Sequence, residues 1–126
     1  MSIAVITGAS GMLGQALIRQ LLKKNDKVYA VVRPESEYNK KIKRSENVKV
    51  IECDLKNLSD LPQKIDEKCD MFYHFGWGGT FGSTRNNLYG QMDNVRYTLD
   101  AVNAAKELGC NVFLGAGSQA EFGRVP

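Results

Sequence analysis

The sequence predicts a doubly wound α/β domain whose parallel sheet has the strand order 3-2-1-4-5 and stops before a sixth strand. Short apolar runs alternate with helical or polar segments along the whole chain of 126 residues. Each run is apolar nearly throughout, which is typical of parallel strands covered by helices on both faces. The length and the 43% hydrophobic content favour one domain, residues 1–126, with a single core.

The first half of the chain supplies three of these strands and one long helix. The helix is predicted over Met12–Lys24, where Leu13, Leu17 and Leu21 recur every fourth residue and form one apolar stripe. Arg33-Pro34 ends the second strand, because proline cannot donate to a strand ladder. The three predicted strands are Ile3–Ile6, Lys27–Val32 and Val48–Cys53, and the polar segment Glu35–Asn47 is predicted to be a loop with a short helix.

The second half of the chain predicts two strands and a second long helix. That helix covers Asn86–Leu108 and ends at Gly109. Its apolar side chains are three or four residues apart: Leu88, Met92, Val95, Leu99 and Val102. The glycine-rich segment Gly76–Gly82 is typical of a mobile loop that contacts a ligand. The predicted strands are Met71–Phe75 and Asn111–Gly115, and a short helical connection is predicted over Leu58–Glu67.

Composition excludes several function classes. The net charge of +3 is mild. One basic cluster is present, and Tyr38 is the only aromatic residue interleaved with it: Lys40, Lys41, Lys43 and Arg44. We therefore interpret this cluster as a solvated loop rather than a nucleic-acid-binding patch. One histidine and no Cys-x-x-Cys pair leave little from which to make a metal site. No signal peptide and no membrane-length apolar run are recognisable.

The three cysteines are odd in number and widely separated, at positions 53, 69 and 110. Each lies in or beside an apolar strand-like run. We therefore expect buried, reduced thiols and a cytoplasmic protein.

The segment Thr7–Gly14 carries the most specific signal, because it lies between the first strand and the first helix. A dinucleotide-binding turn needs this context, with free helix N–H groups directed at a pyrophosphate. In this interpretation Gly8 permits the turn, Gly11 lets the backbone approach the phosphates, and Gly14 lets the helix pack tightly on the sheet.

The spacing Thr-Gly-x-x-Gly-x-x-Gly resembles the extended branch of the short-chain dehydrogenase/reductase superfamily, within it the NAD(P)-dependent epimerase/dehydratase family. The resemblance covers the N-terminal, Rossmann part of such enzymes. It implies that the turn binds the cofactor through the following residues: Gly8, Ser10, Gly11, Met12, Leu13 and Gly14.

Two segments after later strands extend the resemblance. Asp54-Leu55 lies where such enzymes bind the adenine amino group, although an aspartate that only caps the next turn is an equally good reading. His74-Phe75-Gly76-Trp77 matches the family segment whose backbone lies against the cofactor ribose, which implicates Phe75, Gly76 and Trp77. We interpret His74 as a packed strand-end residue rather than an acid or base.

The long helix carries a further match, because Asn94-Val95 resembles the Asn-Val pair of the family, whose asparagine ties the helix to the cofactor loop. An asparagine in the middle of a helix is otherwise mildly unfavourable, so we expect it to have a hydrogen-bonding role.

The resemblance also implies a catalytic residue, Ser118, in the segment Gly115–Gly123. In the family the serine hydroxyl positions the substrate oxygen, while a tyrosine from a Tyr-x-x-x-Lys motif exchanges the proton. None of the five tyrosines has a lysine four positions later. We therefore interpret the chain as a piece of a longer enzyme rather than a natural minimal domain, and expect it to bind cofactor without catalysing a reaction.

The cofactor is predicted from the end of the second strand, where an acidic residue would hold the ribose of NAD. Arg33 stands there instead, which favours NADP because a guanidinium pairs with a 2′-phosphate and stacks on adenine. The alternative is a solvated Arg33, with Glu35 or Ser36 binding the ribose hydroxyls.

Three functions remain open at this point. The first is the nucleotide-binding portion of an epimerase, dehydratase or oxidoreductase that acts on a nucleotide-sugar, and Ser118 favours it. The second is a non-catalytic module that senses NADP, and the third is a small reductase acting on a non-sugar carbonyl. The resemblance also implies a homodimer formed through the helix Asn86–Leu108.

Overall fold

The computed structural model describes residues 1–78 and 86–116. Five strands alternate with helices, as the sequence predicts. The strands are β1 (Ile3–Thr7), β2 (Lys27–Val32), β3 (Val48–Glu52), β4 (Met71–His74) and β5 (Val112–Gly115). The α-helices are α1 (Met12–Lys23) and α2 (Leu88–Glu107), and two 3₁₀ helices cover Glu37–Lys41 and Leu55–Lys64.

All pairs in the five-stranded sheet are parallel, and the order is β3-β2-β1-β4-β5. The predicted fold class and strand order are therefore confirmed. The chain leaves β1 on one side to build β2 and β3 and later crosses to the other side for β4 and β5. The carboxyl ends of β1 and β4 consequently diverge at a topological switch point, where ligands of such sheets bind.

Each face of the sheet has its own apolar cluster, because successive strand residues point to opposite sides. Ala4, Ile6, Val28 and Ala30 pack against Ile18 and Leu21 of α1. The opposite face packs against α2 and the second 3₁₀ helix, and its strand residues include Val5, Tyr29 and Phe72.

The buried face of α1 differs from the predicted leucine stripe. Leu21 is buried as expected, but Leu13 is 59% exposed and Leu17 only partly buried. Gly14 and Ile18 complete the buried face instead. The reason is that α1 starts against the backbone of the preceding turn, where only a residue without a side chain fits.

The apolar stripe predicted for α2 also faces the other way. The large side chains of the stripe are exposed: Leu88, Met92, Val95, Leu99 and Val102. The buried face consists of Asn94, Ala101, Ala104 and Ala105. Small residues bring the helix close to the sheet, so the larger side chains are left on the outer surface.

The connection after β3 begins earlier than predicted. Asp54 is the N-cap of the second 3₁₀ helix, so this helix starts at Leu55 rather than Leu58. The segment between β2 and β3 contains the short helix that the sequence predicts. The three cysteines are free thiols; Cys53 and Cys69 are buried, and Cys110 is partly exposed.

No helix in the described part of the chain is long and apolar enough to span a membrane. Within residues 1–78 and 86–116, no cluster of histidine, cysteine and acidic side chains has the arrangement of a metal site.

Candidate functional site

A cleft of about 470 Å³ opens at the carboxyl edge of β1, β2 and β4. Its floor and walls come from strand ends, the Gly8–Gly14 turn and the segment after β4. The lining residues are Thr7, Gly8, Ser10, Gly11, Val31, Arg33, Tyr38, Cys53, Leu55, Phe75, Gly76, Trp77 and Gly78. A second depression, beside Ser59 and the last turns of α2, is lined by polar side chains and lies away from this edge.

The turn between β1 and α1 is packed tightly against the end of β4. Gly8 has a φ of +65°, and a Cβ on it would lie 2.7 Å from the Phe75 carbonyl carbon. A Cβ on Gly14 would lie 2.6 Å from the Gly8 oxygen. The sequence predicts that Gly14 lets the helix pack on the sheet, but this glycine packs on the turn itself. Gly8 and Gly14 are therefore required by the fold.

Gly11 differs from the other two glycines. Within the described part of the chain, a Cβ on it would meet only the Gly8 oxygen, at 3.4 Å, which is ordinary contact. The fold does not require a glycine at this position. The open space in front of the Gly11 backbone therefore belongs to the cleft.

The N-terminal end of α1 lies at this space. The side chains of its first turn supply no polar partner for the N–H groups there. Gly11 is the N-cap, no side chain among residues 1–78 and 86–116 caps the helix, and no acidic residue lies in the first turn. The side chains of Met12 and Leu13 are exposed. The free N–H groups and the positive end of the helix dipole thus face the cleft, an arrangement that suits an anion.

Thr7 is a buried hydrogen-bonding hub beneath the turn. Its Oγ1 accepts from the backbone N–H groups of Phe75 and Gly76, each at 3.1 Å, and lies 2.7 Å from Nδ1 of His74. The Phe75 N–H also donates to the Thr7 carbonyl oxygen at 3.2 Å, so the direction of the hydrogen bond between Oγ1 and Nδ1 follows the tautomer of His74.

His74 is packed rather than exposed to the cleft, as the sequence interpretation expected. It is 4% exposed, and its Nε2 has no hydrogen-bond partner among the described residues. Burial lowers the pKa of this imidazole below its ordinary value of 6.5.

Asn94 of α2 fixes the segment after β4. It is 1% exposed; its Oδ1 accepts from the Gly78 N–H at 2.8 Å, and its Nδ2 donates to the Gly78 carbonyl at 2.7 Å. Nδ2 also donates to Oε1 of Gln91 at 3.0 Å, and the same oxygen accepts from the Trp77 indole at 3.2 Å. The hydrogen-bonding role expected for this asparagine is present.

The far end of the cleft is formed after β2. Arg33 is exposed and lines the cleft together with Tyr38. It also borders a shallow extension with Pro34, Ser36 and Asp54. The Asp54 carboxylate accepts from the Lys56 N–H at 3.3 Å, so the capping role considered for it is present, beside a position at the cleft edge.

Two further contacts hold Tyr38 beside Arg33. The Tyr38 N–H donates to the hydroxyl of Ser36, and Asn39 Nδ2 donates to the Arg33 carbonyl at 2.8 Å. The Lys41 ammonium lies 4.9 Å from the centre of the Tyr38 ring. The basic cluster thus contributes one cation near the end of the cleft.

Residues 4–126 match the NAD dependent epimerase/dehydratase family. The chain belongs to this family. Among curated proteins, none matches the sequence significantly.

Solved structures of three enzymes, two of them epimerases, share the fold of this chain. The enzyme WbmH of Bordetella bronchiseptica, in complex with NAD⁺, is 21% identical with a TM-score of 0.84 over 100% of this chain. ADP-L-glycero-D-manno-heptose-6-epimerase of Helicobacter pylori is 20% identical with a TM-score of 0.80 over 99%. UDP-N-acetylglucosamine 4-epimerase of Methanobrevibacter ruminantium is 22% identical with a TM-score of 0.79 over 99%.

The chain spans only part of these structures. It covers 42% of the length of the first two and 40% of the third. At these identities the likeness establishes the fold.

The structure brings most of the predicted cofactor residues to one cleft. Gly8, Ser10 and Gly11 lie at its centre, Arg33 and Leu55 on one side, and the segment after β4 on the other. Met12, Leu13 and Gly14 form the adjoining first turn of α1, and Asn94 acts from behind through Gly78. Ser118 lies outside the described residues, so its placement stays a prediction.

Sequence reasoning missed three residues of the site. Thr7 was treated as part of the glycine motif, but its hydroxyl is the hub beneath the turn. Tyr38 was assigned to a solvated loop, although it lines the cleft. Gln91 gave no signal, because a polar residue on the exposed side of a helix is ordinary until its partner across space is known.

The contrast between Gly14 and Gly11 gives a first prediction. Gly14→Ala forces a Cβ against turn backbone, so the free energy of unfolding is expected to fall by about 1–3 kcal/mol. Gly11→Ala is expected to lower it by less than about 1 kcal/mol, since only the N-cap preference changes. Urea unfolding of both variants measures this, and equal losses would contradict the assignment of Gly14 to the fold.

A second prediction concerns pH and the single histidine. Because burial lowers the pKa of folded His74, the unfolded chain takes up a proton more readily below pH 6.5. Stability is therefore fully present above this pH and falls as the pH is lowered, by up to about 1.4 kcal/mol per pH unit.

Urea unfolding at about pH 7 and pH 5.5 tests this, with His74→Gln as the comparison. The variant removes the imidazole, so its stability is expected to change less between the two pH values than that of the unaltered chain. The same change in both proteins would show that other groups cause the pH dependence.

Proposed function

We propose that this chain is the nucleotide-binding portion of an NAD(P)-dependent enzyme that acts on a nucleotide-sugar by hydride transfer. The observation that carries the proposal is the uncapped start of α1 facing an open cleft at the switch point of the sheet. Membership in the epimerase/dehydratase family supports the cofactor class. Related folds with nucleotide-sugar epimerase activity support the substrate class.

The pyrophosphate of the dinucleotide is proposed to lie over the turn. The free N–H groups of the first turn of α1 donate to it, and the absence of a Cβ at Gly11 lets the backbone come close. Thr7 contributes from below by fixing the β4 end against which Gly8 packs. The position of these groups at the cleft supports a diphosphate site over the turn.

NADP is favoured over NAD because of the charge at the end of β2. Arg33 stands at the cleft edge beside Ser36, where an NAD enzyme would have a carboxylate. The neighbouring Glu35 is exposed, and its N–H donates to the Glu52 carboxylate at 3.5 Å. This arrangement favours a role in which the Arg33 guanidinium pairs with the 2′-phosphate and stacks on the adenine.

The bound cofactor would supply the hydride acceptor and donor of the reaction. The residues of this chain bind and orient it: the turn holds the diphosphate, Arg33 the adenosine end, and the Asn94-supported segment the opposite end. Ser118 is proposed to position the substrate oxygen. Since none of the five tyrosines is followed four positions later by lysine, we expect this chain alone to bind cofactor without turnover.

A calorimetric titration of the chain with NADP and NAD tests the proposal. We expect tighter binding of NADP, and Arg33→Asp should shift the ratio of the two Kd values toward NAD by about tenfold or more. Gly11→Ala should weaken both, because its methyl group enters the space of the diphosphate. Arg19→Asp, at an exposed position of α1, is the charge-matched control and should leave the ratio unchanged.

Two results would contradict these assignments. No binding of either dinucleotide would refute the nucleotide-binding role itself. Equal affinity of the unaltered chain for both would refute only the preference for NADP. A reading frame that continues past residue 126 into a Tyr-x-x-x-Lys motif would support the enzyme, whereas a stop there would favour the non-catalytic sensing module.

We also propose that two copies of the chain pair through the exposed stripe of α2. Five large apolar side chains on one helix face are a surface that a second copy can bury: Leu88, Met92, Val95, Leu99 and Val102. Sedimentation velocity is expected to show a dimer that Val95→Glu weakens by at least about tenfold. Gln20→Glu on α1 is the control, and a monomer at every concentration would contradict the proposal.

A further inference from the structure

Trp77 stands on a backbone that is fixed on both sides. The preceding residue, Gly76, is buried and donates to Thr7 Oγ1 at 3.1 Å, and a Cβ on it would lie 2.6 Å from Leu55. The following residue, Gly78, is held by both its N–H and its carbonyl through Asn94. The main chain of Trp77 is therefore anchored to β1 on one side and to α2 on the other.

The side chain of Trp77 is also oriented. Its indole N–H donates to Oε1 of Gln91 at 3.2 Å, and this oxygen accepts at the same time from Asn94. The amide of Asn94 thus sets both the Gly78 backbone and the acceptor that the indole uses. One buried side chain, that of Asn94, therefore helps to position both the Gly78 backbone and the indole of Trp77.

A large part of the indole nevertheless faces the cleft. Trp77 is 47% exposed and lines the cleft with Gly76 and Gly78. A rigid aromatic ring has little conformational entropy left to lose, so covering it with a ligand is favourable. An oriented, half-exposed indole in a cleft therefore has the character of a binding platform.

The position of Trp77 in the cleft determines which part of the proposed cofactor lies against its side chain. Arg33 and Tyr38 mark one end, after β2, and the turn of β1 lies between them and Trp77, after β4. If the adenosine end lies at Arg33 and the diphosphate over the turn, the second nucleoside extends toward β4. That second nucleoside is the nicotinamide riboside.

We infer that the indole of Trp77 is the wall against which the nicotinamide ring of this riboside packs, and that Gln91 is the residue that positions this wall. The inference rests on the proposed cofactor site and adds a role for two side chains within it. The sequence matched Trp77 to a family position where small residues bring the backbone close to the ribose. Here a large ring replaces the small residue and takes part through its side chain.

Binding of two ligands that differ only in the nicotinamide tests this inference. The first is NADPH, and the second is 2′-phospho-ADP-ribose, which has the same adenosine, 2′-phosphate and diphosphate. Trp77→Ala should weaken NADPH by about tenfold while changing 2′-phospho-ADP-ribose by less than about twofold. Trp77→Phe, which keeps an aromatic face, should restore most of the loss.

The outcomes separate this inference from the proposed function. Failure of the unaltered chain to bind either ligand refutes the cofactor site. Binding of both ligands with equal losses in Trp77→Ala refutes the nicotinamide wall and leaves the cofactor site intact. A circular dichroism spectrum and unfolding curve of each variant establish that it folds.

Fluorescence gives an independent readout, because Trp77 is the only tryptophan of the chain. NADPH should quench its emission through contact and energy transfer, whereas 2′-phospho-ADP-ribose should leave it nearly unchanged. Gln91→Leu removes the acceptor of the indole N–H and should weaken NADPH several-fold more than 2′-phospho-ADP-ribose. Gln20→Leu is the same change at an exposed position of α1 and should leave the binding of both ligands unchanged. Equal effects of the two substitutions on binding would refute the positioning role of Gln91.

Discussion

The close approach of the Gly8 turn to the end of β4 is the constraint on which the site depends. With a Cβ at Gly8 only 2.7 Å from the Phe75 carbonyl carbon, the two backbones touch. Thr7 holds them together with a buried hydroxyl that satisfies two N–H groups and one imidazole nitrogen. Loss of that hydroxyl would leave the buried Gly76 N–H and the His74 ring nitrogen without this partner, which is more costly than the loss of an ordinary hydrogen bond.

This junction explains why the walls of the cleft are held in place. The turn fixes the start of α1, and the end of β4 fixes the segment that leads to Trp77 and Gly78. Asn94 then ties that segment to α2, so three elements from distant parts of the sequence meet within a few residues. A cleft whose backbone is held in this way would lose little entropy on binding a ligand.

The sequence predicted the fold well, for a physical reason that applies to each strand. A parallel sheet covered on both faces needs apolar residues at every strand position, and this pattern is visible without knowing any contact. The predicted strands therefore agree with the observed ones to within one or two residues, as for Lys27–Val32. The glycine spacing located the turn equally well, since Gly8 and Gly14 are demanded by local backbone geometry.

Prediction failed where the decision depended on partners across space. The leucines, the valines and Met92 of α2 form a regular stripe, yet alanines and Asn94 form the buried face, because only small side chains allow the helix to lie close to the sheet. Periodicity alone does not tell which of two faces of a helix is covered. In the same way, nothing in the sequence joins Gln91 to Trp77, which are 14 residues apart.

The sequence by itself determined the order of strands and helices, the position of the turn and the identity of the charged residue after β2, because each depends on local pattern and backbone conformation. Only the tertiary structure decided which helix faces are buried, that His74 is buried against Thr7, and that Trp77 lies between two glycines whose backbones are held in place. Those properties arise from contacts between residues far apart in the chain, and such contacts exist only once the sheet has brought β1, β4 and α2 together.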